Sequence, residues 1–429
     1  MNSVELFAGV GGLGIGLSNA GFCHLVALDR DKNACATIDE NQRRGLNCLK
    51  NWPVVQADVS QFDFRALHIP GGVDLLAGGP PCQPFSLGGK HQGSQDDRDM
   101  FPHFCRAVRD LQPLAFLIEN VPGLLRPCFT QYFEYLILQL TYPEIIAKSD
   151  ADWRDHLSRL EQHHTAGGDA SISYRVVFQK LNAADYGIPQ KRERVFIIGF
   201  RSDLGVAWSF PTATHSQEAL HWQQWVTGDY WERHQVARGD RPEIPLKLSK
   251  SIFHLQSSLF PPPNQPWRTV RDAIWDLPNP NSQDIPSTVV NHVFIPGARK
   301  YPGHTGSPLD EPAKTLKAGV HGVPGGENML AFSSGEVRYF TVREAARLQT
   351  FPDEYFFPHS WTETMRQLGN AVPVALAEII AASIREQLVR VRRTFAAKLS
   401  VGNYPVEVDV LSAEIFHHCQ AVKEKLGYN

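Results

Sequence analysis

Cys82 is the residue of this chain best placed to do chemistry. It lies in Gly79-Pro80-Pro81-Cys82-Gln83-Pro84-Phe85-Ser86, just after the apolar run Val73 to Ala77. That run reads as a buried strand, so the thiol stands at a strand's C-terminal end, where open α/β sheets place their ligands. Two prolines before the sulfur and a third two residues later fix the local backbone and aim it. A thiol presented in this way is a candidate nucleophile, given an electropositive setting that brings its pKa down from the ordinary ~8.5. Glu119, in Ile118-Glu119-Asn120-Val121-Pro122-Gly123, ends another strand-like segment and so belongs on the same rim. Standing alone, that carboxylate would read as a solvated turn residue. Arg192 and Arg194 lead into the strand Val195 to Phe200, and alternation along a strand points both to one side.

A second site is written in glycine. Between Phe7 and Gly16, the residues Gly9, Gly11 and Gly14 satisfy G-x-G-x-x-G after a strand and before a helix. Asp29 ends the next strand, about where a carboxylate would hold a ribose. A dinucleotide of the NAD type and S-adenosylmethionine fit this pattern equally well, and a merely tight turn is the third reading. Asp58 ends the strand after that, as an acceptor for an adenine amino group or simply as a strand-end cap.

Alternating elements are needed to hold these residues. Strand candidates run Val4 to Phe7, Leu25 to Leu28, Val54 to Ala57, Val73 to Ala77, Ala115 to Ile118, Arg175 to Gln179 and Val195 to Phe200. Helical patterns lie between most of them, at Leu13 to Asn19, Asp31 to Asn41, Pro102 to Leu111 and Phe129 to Leu140. This alternation predicts a doubly wound, mostly parallel sheet, with the last two strands an antiparallel pair at its edge. From about 202 to 340 the texture changes to clustered prolines and tryptophans with weak periodicity, which predicts a separate, irregular, loop-rich domain. Thr341 followed by Glu344 is a capping box, so a helix should start there and end near Pro352. A longer helix from Val374 to Arg393, apolar in its first half, should return to the first domain.

Bulk properties set only broad bounds. The chain has 429 residues, 42% of them apolar, and a formal net charge of −3, so a globular chain of two domains is expected. The charge counts mildly against nucleic acid and decides nothing. No apolar run approaches the ~20 residues of a membrane span, and no secretory leader opens the chain, so a cytoplasmic location is expected. Seven cysteines without Cys-x-x-Cys spacing support neither a disulfide framework nor a zinc site.

Six segments, in order and spanning nearly the whole chain, resemble the cytosine carbon-5 DNA methyltransferases of restriction–modification systems. They are Phe7 to Leu17, Gly79 to Ser86, Glu119 to Val121, Gln190 to Arg194, Arg343 to Pro352 and Gly369 to Pro373. Pro312 to Gly319 is similar to the family's Thr-Leu element. The resemblance implies the seven-strand fold of S-adenosylmethionine-dependent methyltransferases with an inserted target-recognition domain. The expected division is 1–201 catalytic, 202–340 DNA-recognising, 341–395 a hinge helix and a long helix returning to the catalytic domain, and 396–429 a tail.

In that reading Cys82 attacks carbon 6 of an everted cytosine. Glu119 holds nitrogen 3 and the amino group, and Arg194, with Arg192 beside it, holds the carbonyl oxygen. S-adenosylmethionine is the methyl donor, met by Phe7, Gly9, Gly11, Gly12, Leu13, Asp29, Asp58, Val59, Gly78, Pro80, Asn370 and Val372, and no metal is called for. Ser86, Thr315 and Leu316 face DNA. The implied partners are double-stranded DNA and, functionally, a restriction endonuclease, with the enzyme a monomer. Arg30 departs from the family, standing where many members carry an apolar or aromatic residue beneath the adenine. Residues 143 to 173 form a longer connection than usual, with no role implied. Methylation of cytosine in tRNA, a nicotinamide-dependent oxidoreductase and a catalytically silent DNA-binding protein are the competing readings.

Overall fold

A computed structural model describes residues 1–67, 69–81, 99–148, 152–167, 171–318 and 328–400, with side chains to residue 394. Cys82 and Ser86 lie outside the described residues. The chain forms two compact units. Among the described residues, one comprises Met1–Lys180, Arg194–Pro211 and those from Ala377 to Ser400; the other comprises Leu181–Glu193 and Thr212–Leu376.

The first unit alternates strand and helix: β1 (Asn2–Leu6), α1 (Gly12–Asn19), β2 (Cys23–Asp29), α2 (Lys32–Arg43), β3 (Val54–Gln56), β4 (Leu75–Gly78), α3 (Phe101–Leu111), β5 (Ala115–Asn120) and α4 (Thr130–Thr141). Further along come α5 (Trp153–Ala166), β6 (Tyr174–Asn182) and β8 (Glu193–Arg201), while the two-residue β7 (Gln190–Lys191) between them belongs to the second unit. Seven strands make one sheet in the order β3-β2-β1-β4-β5-β8-β6. β1 runs parallel to β2 and β4, β2 to β3, and β4 to β5. β8 alone is shown reversed, antiparallel to β5 from Ala115↔Phe200 to Asn120↔Val195. The central strands are near-continuous apolar runs because helices cover such a sheet on both faces. Strand order reverses between β1 and β4. The C-terminal ends of these two strands therefore flank the crevice in which open sheets bind ligands, and both the glycine turn and Gly79-Pro80-Pro81 leave the sheet there.

The long connection after α4 is built around α5, which packs against α4. The His156 ring lies 3.0 Å from the Tyr135 hydroxyl and 2.7 Å from the Ile145 carbonyl, and Trp153 packs on Tyr132 and Tyr135. Gly167 ends the helix in the left-handed region, at φ 65°.

The second unit consists of short elements around a small aromatic core in which Tyr230 and Trp231 are buried and Trp225 and Trp267 pack alongside. Much of the tryptophan cluster seen in the sequence is therefore structural. The capping box at Thr341 and Glu344 opens the helix Val342–Leu348, which stops before Pro352 because Thr350 turns left-handed at φ 57°. The C-terminal helix Val374–Ser400 buries Leu376, Ile380, Ile384 and Leu388 completely. Within the first unit, its Arg392 reaches Asp74 at 2.5 Å and its Ser383 accepts from the Trp208 indole at 3.0 Å. One stretch, Trp361–Thr394, is long and apolar enough by length and composition to cross a bilayer, but 67% of its most apolar window is buried inside the protein and the helix breaks after Asn370, as in a core helix.

Candidate active site

The glycine turn climbs out of β1 by alternating backbone hands: Phe7 at φ 58°, Gly9 at φ 54° and Gly11 at φ 77°. Asp29, at the tip of β2, pins it. Gly9 N–H donates to Asp29 Oδ2 at 2.7 Å, and Asp31 N–H donates to Oδ1 at 2.8 Å. Burial pushes the Asp29 carboxyl up from its ordinary range, and these two N–H groups oppose the shift. The residue predicted to hold a ribose is thus first a brace for the loop, with lone pairs left over on both oxygens. A Cβ on Gly9 would meet nothing within 4 Å, so the crest of the turn is open. An open turn at a helix N-terminus, rimmed by a carboxylate, suits a nucleoside bearing an amino-acid carboxylate, which is the make-up of S-adenosylmethionine.

Other expected donor contacts divide by geometry. Asp58 is exposed, and hydrogen bonds from the Ser60 hydroxyl first, and then from Ser60 N–H at 2.8 Å, hold its carboxyl below the ordinary range. Val59 does not present its side chain: it is 3% exposed within the sheet's core, and its carbonyl accepts from Arg106. Gly12 and Leu13 are buried in the first turn of α1. A Cβ on Gly78 would fall 2.5 Å from the Leu6 carbonyl, so strand packing alone demands glycine there. Asn370 and Val372 belong to the second unit; Asn370 is exposed at the end of the helix Trp361–Asn370, and Val372 is buried.

Glu119 and Arg194 come together. Arg194 Nε sits 2.8 Å from Glu119 Oε1, with only 12% and 10% of the two side chains exposed. The reversed strand makes this possible, since β8 enters the sheet just where β5 leaves it. Burial pulls the Arg194 guanidinium below its ordinary range, and the Glu119 charge opposes that. A Cβ on Gly79 would stand 3.4 Å from Glu119 Oε2, so the carboxylate lies against the segment that carries the chain to Cys82. Asn120 was not singled out from the sequence. Its Nδ2 donates to the Pro80 carbonyl at 3.1 Å and its Oδ1 accepts from Val121 N–H at 2.8 Å, tying β5's end to the same segment. A polar residue directly after Glu119 in an otherwise buried strand was the signal available.

Arg192 departs from the expectation that it stands beside Arg194 over a substrate. It is fully buried in the second unit, donating to the carbonyls of Leu316 at 3.3 Å and of Gly369 and Ala371 at 2.9 Å each. Its guanidinium is taken up by backbone. Leu316 is likewise buried, at 1% exposure, with its N–H bound to Gln190, so its side chain packs inward rather than facing DNA as expected. The Thr315 hydroxyl donates to the Lys191 carbonyl at 2.8 Å, fixing the short strand Ala313–Lys314 against β7. Arg192→Met should therefore lower stability by at least about 3 kcal/mol, since three buried carbonyls lose a charged donor. Thermal unfolding of that variant checks this.

Thiols outside Cys82 are sorted by burial. Desolvation, aided by neighbouring aspartates, pushes both Cys35 and Cys105 up to about 12, whereas Cys23 and Cys128 are exposed. At pH 8 a thiol of pKa 12 is thiolate in only about one molecule in ten thousand. Labelling with a maleimide, read by peptide mapping, should modify Cys23 and Cys128 in the native protein, and Cys35 and Cys105 only after unfolding.

Similarity to known proteins agrees with this geometry. A family model described as C-5 cytosine-specific DNA methylase matches residues 1–142 and 169–386, passing over the segment that carries the whole of α5. The chain is 30% identical over 391 residues to the Type II methyltransferase M.PspPI of Psychrobacter sp. (strain TA137), covering 90% of this chain and 79% of that protein. It is 32% identical over 394 residues to the Type II methyltransferase M.Eco47II of Escherichia coli, covering 91% and 80%. The crystal structure of a DNA modification methyltransferase encoded within an E. coli prophage superposes with a TM-score of 0.52 at 24% identity, covering 91% of this chain and 99% of that one. At that identity the likeness speaks for the fold.

Proposed function

Because this chain belongs to the C-5 cytosine-specific DNA methylase family and is a DNA cytosine-5 methyltransferase, we propose that it acts on a cytosine everted from a specific duplex sequence, through a covalent adduct with Cys82. The observation that carries this reading is the buried Glu119–Arg194 pair against Gly79, at the end of the strand beside the one that leads to Cys82.

Carbon 5 of cytosine is a poor nucleophile. The Cys82 thiolate forms a bond to carbon 6, and the electrons of the 5,6 double bond move toward carbon 5 while nitrogen 3 gains a proton. Glu119 holds nitrogen 3 and the exocyclic amino group, and Arg194 keeps that carboxylate in place and faces the carbonyl oxygen. S-adenosylmethionine, when bound, supplies the methyl group that carbon 5 takes. Loss of the carbon-5 proton to water then restores the double bond and expels the sulfur as thiolate, while nitrogen 3 gives back the proton it gained. A stacked base offers no access to carbon 6, so the base must leave the duplex at a cost of a few kcal/mol.

The second unit, built from short elements and loops, reads sequence, with phosphate contacts supplying most of the affinity and base edges the specificity. Protection of host DNA from a cognate endonuclease is the biological role, which puts the enzyme with the bacterial nucleoid. The Type II methyltransferases among its relatives favour DNA over tRNA as substrate, and family membership sets the nicotinamide reading aside.

Two measurements test the proposal. Bisulfite sequencing of plasmid from cells expressing the chain should show one methylated cytosine per copy of a short motif. Duplexes carrying 5-fluorocytosine at that cytosine should trap the protein covalently, because fluorine cannot leave as the proton does. Methylated DNA without trapping would retain the activity and overturn the adduct.

A further inference from the structure

The second unit carries an apolar ridge that its own core leaves uncovered. Leu246, Phe253, Leu259 and Phe260 are 94%, 71%, 90% and 78% exposed. They lie on or beside the helix Ser249–Gln256, which buries Ile252 and Leu255 and packs against the helix Gln217–Trp222. Gln256 fixes its end, donating from Nε2 to the Trp225 carbonyl at 3.3 Å. At about 100° per residue, burial of positions 252 and 255 turns Lys250, Phe253 and His254 outward, and all three are exposed. Leu246 and Lys247 belong to the short turn Leu246–Leu248 that runs into this helix, and both are exposed. After the helix, Ser258 N–H donates to the Leu255 carbonyl at 3.0 Å and the Ser258 hydroxyl to the Phe260 carbonyl at 2.9 Å. Leu259 and Phe260 are thus presented by a hydrogen-bonded turn.

Charge says what covers this ridge. Between Glu243 and Asp272 the chain has no acidic residue, although 45 of its 429 residues are acidic. Lys247 and Lys250 therefore stand among exposed apolar side chains with no acid in the segment. Such a surface suits an anionic partner that offers apolar surface between its charges. Duplex DNA is one: phosphates rim a minor groove whose base steps accept phenylalanine and leucine. A second copy of the same ridge would cover the apolar side chains but set lysine against lysine, so the charge favours DNA. From Ile244 to Phe260 there is no arginine or asparagine, and the one glutamine is Gln256, already bound to backbone. The side chains that pair in bidentate fashion with guanine and adenine are missing, so the ridge can hold DNA without reading it.

We propose that this ridge is a sequence-independent DNA grip: Lys247 and Lys250 take phosphates beside the methylated motif, and the exposed leucines and phenylalanines enter the flanking minor groove. It rests on the duplex-DNA reading given above and adds to it a footprint longer than the recognised motif.

The test uses the full-length enzyme, fluorescence anisotropy and two duplexes carrying the motif found by bisulfite sequencing. One has about 40 base pairs; the other is trimmed to about 12, little more than one helical turn. Lys247→Gln/Lys250→Gln should weaken binding to the long duplex roughly tenfold and lower its salt slope by about 2. Leu246→Ser/Phe253→Ser should weaken it roughly fivefold with the slope unchanged. Affinity for the short duplex should stay within about twofold of wild type in both variants. The four side chains are exposed, so an unchanged melting temperature should accompany these effects. Equal losses on both duplexes would put the ridge on the motif itself, and no loss on either would separate it from DNA; each result overturns the proposal. So would a wild-type dimer in sedimentation that Leu246→Ser/Phe253→Ser dissolves, which would make the ridge a self-association face. A wild-type enzyme that bound neither duplex would overturn the duplex reading itself, a failure distinct from variants that bind like wild type.

Discussion

Cys82→Ala is expected to reduce methyl transfer to background while leaving S-adenosylmethionine and DNA binding intact. Without the sulfur, nothing adds to carbon 6, and carbon 5 stays too electron-poor to take a methyl group. The substitution removes one small atom, and the residues that lead up to it are held independently. Pro80 and Pro81 restrict its backbone, Asn120 holds the Pro80 carbonyl, and Gly79 rests against Glu119. The flipped base and the donor should therefore still bind, and a gel-shift assay with cold S-adenosylmethionine should show near-wild-type affinity beside null turnover. Measurable turnover in purified Cys82→Ala, above what contaminating enzyme supplies, would rule out the covalent route.

Glu119→Gln is expected to slow methyl transfer roughly a hundred- to ten-thousandfold at saturating substrates, the range for loss of one positioned proton-handling group. The amide has nearly the shape of the acid, so packing against Gly79 survives. Two things change. Nitrogen 3 loses the group that can pass it a proton, and Arg194 is left as a buried cation without its partner charge. Leaving a buried ion unpaired costs about 3–5 kcal/mol, so some loss of thermal stability should accompany the rate effect. Single-turnover kinetics on a preformed complex separate the two, since unfolding lowers amplitude and lost chemistry lowers rate. A collapse of DNA affinity with an unchanged single-turnover rate would make Glu119 a binding residue instead.

Much of the sheet was legible because buried parallel strands are apolar runs bounded by turn residues, and that pattern is local. β1, β2, β4, β5 and β8 fall where the apolar runs lie. β3 is shorter by one residue than its run, because Ala57 already turns toward Asp58. What local pattern could not give was the partner of each polar residue. Arg192 and Arg194 sit two apart and were read as a pair, yet one is bound by carbonyls from distant loops and the other by a carboxylate. The same limit hid Leu316: a Thr-Leu element looks alike whether its leucine faces a ligand or a core. The glycine motif was recognisable from spacing alone, but spacing does not say that Gly9 stands at an open crest while a Cβ on Gly14 would meet the Glu5 side chain and the Trp52 ring.

The connection between α4 and β6 has one further bearing. Its helix packs through Trp153, His156, Leu157 and Leu160, and turns Arg154, Ser158, Glu161 and Gln162 outward. Because the shared family pattern runs on either side of it and omits it, this segment can vary in length without shifting the register of the strands it joins. A fluorophore or affinity handle carried on that outer face would report on the enzyme without touching the machinery that moves methyl groups.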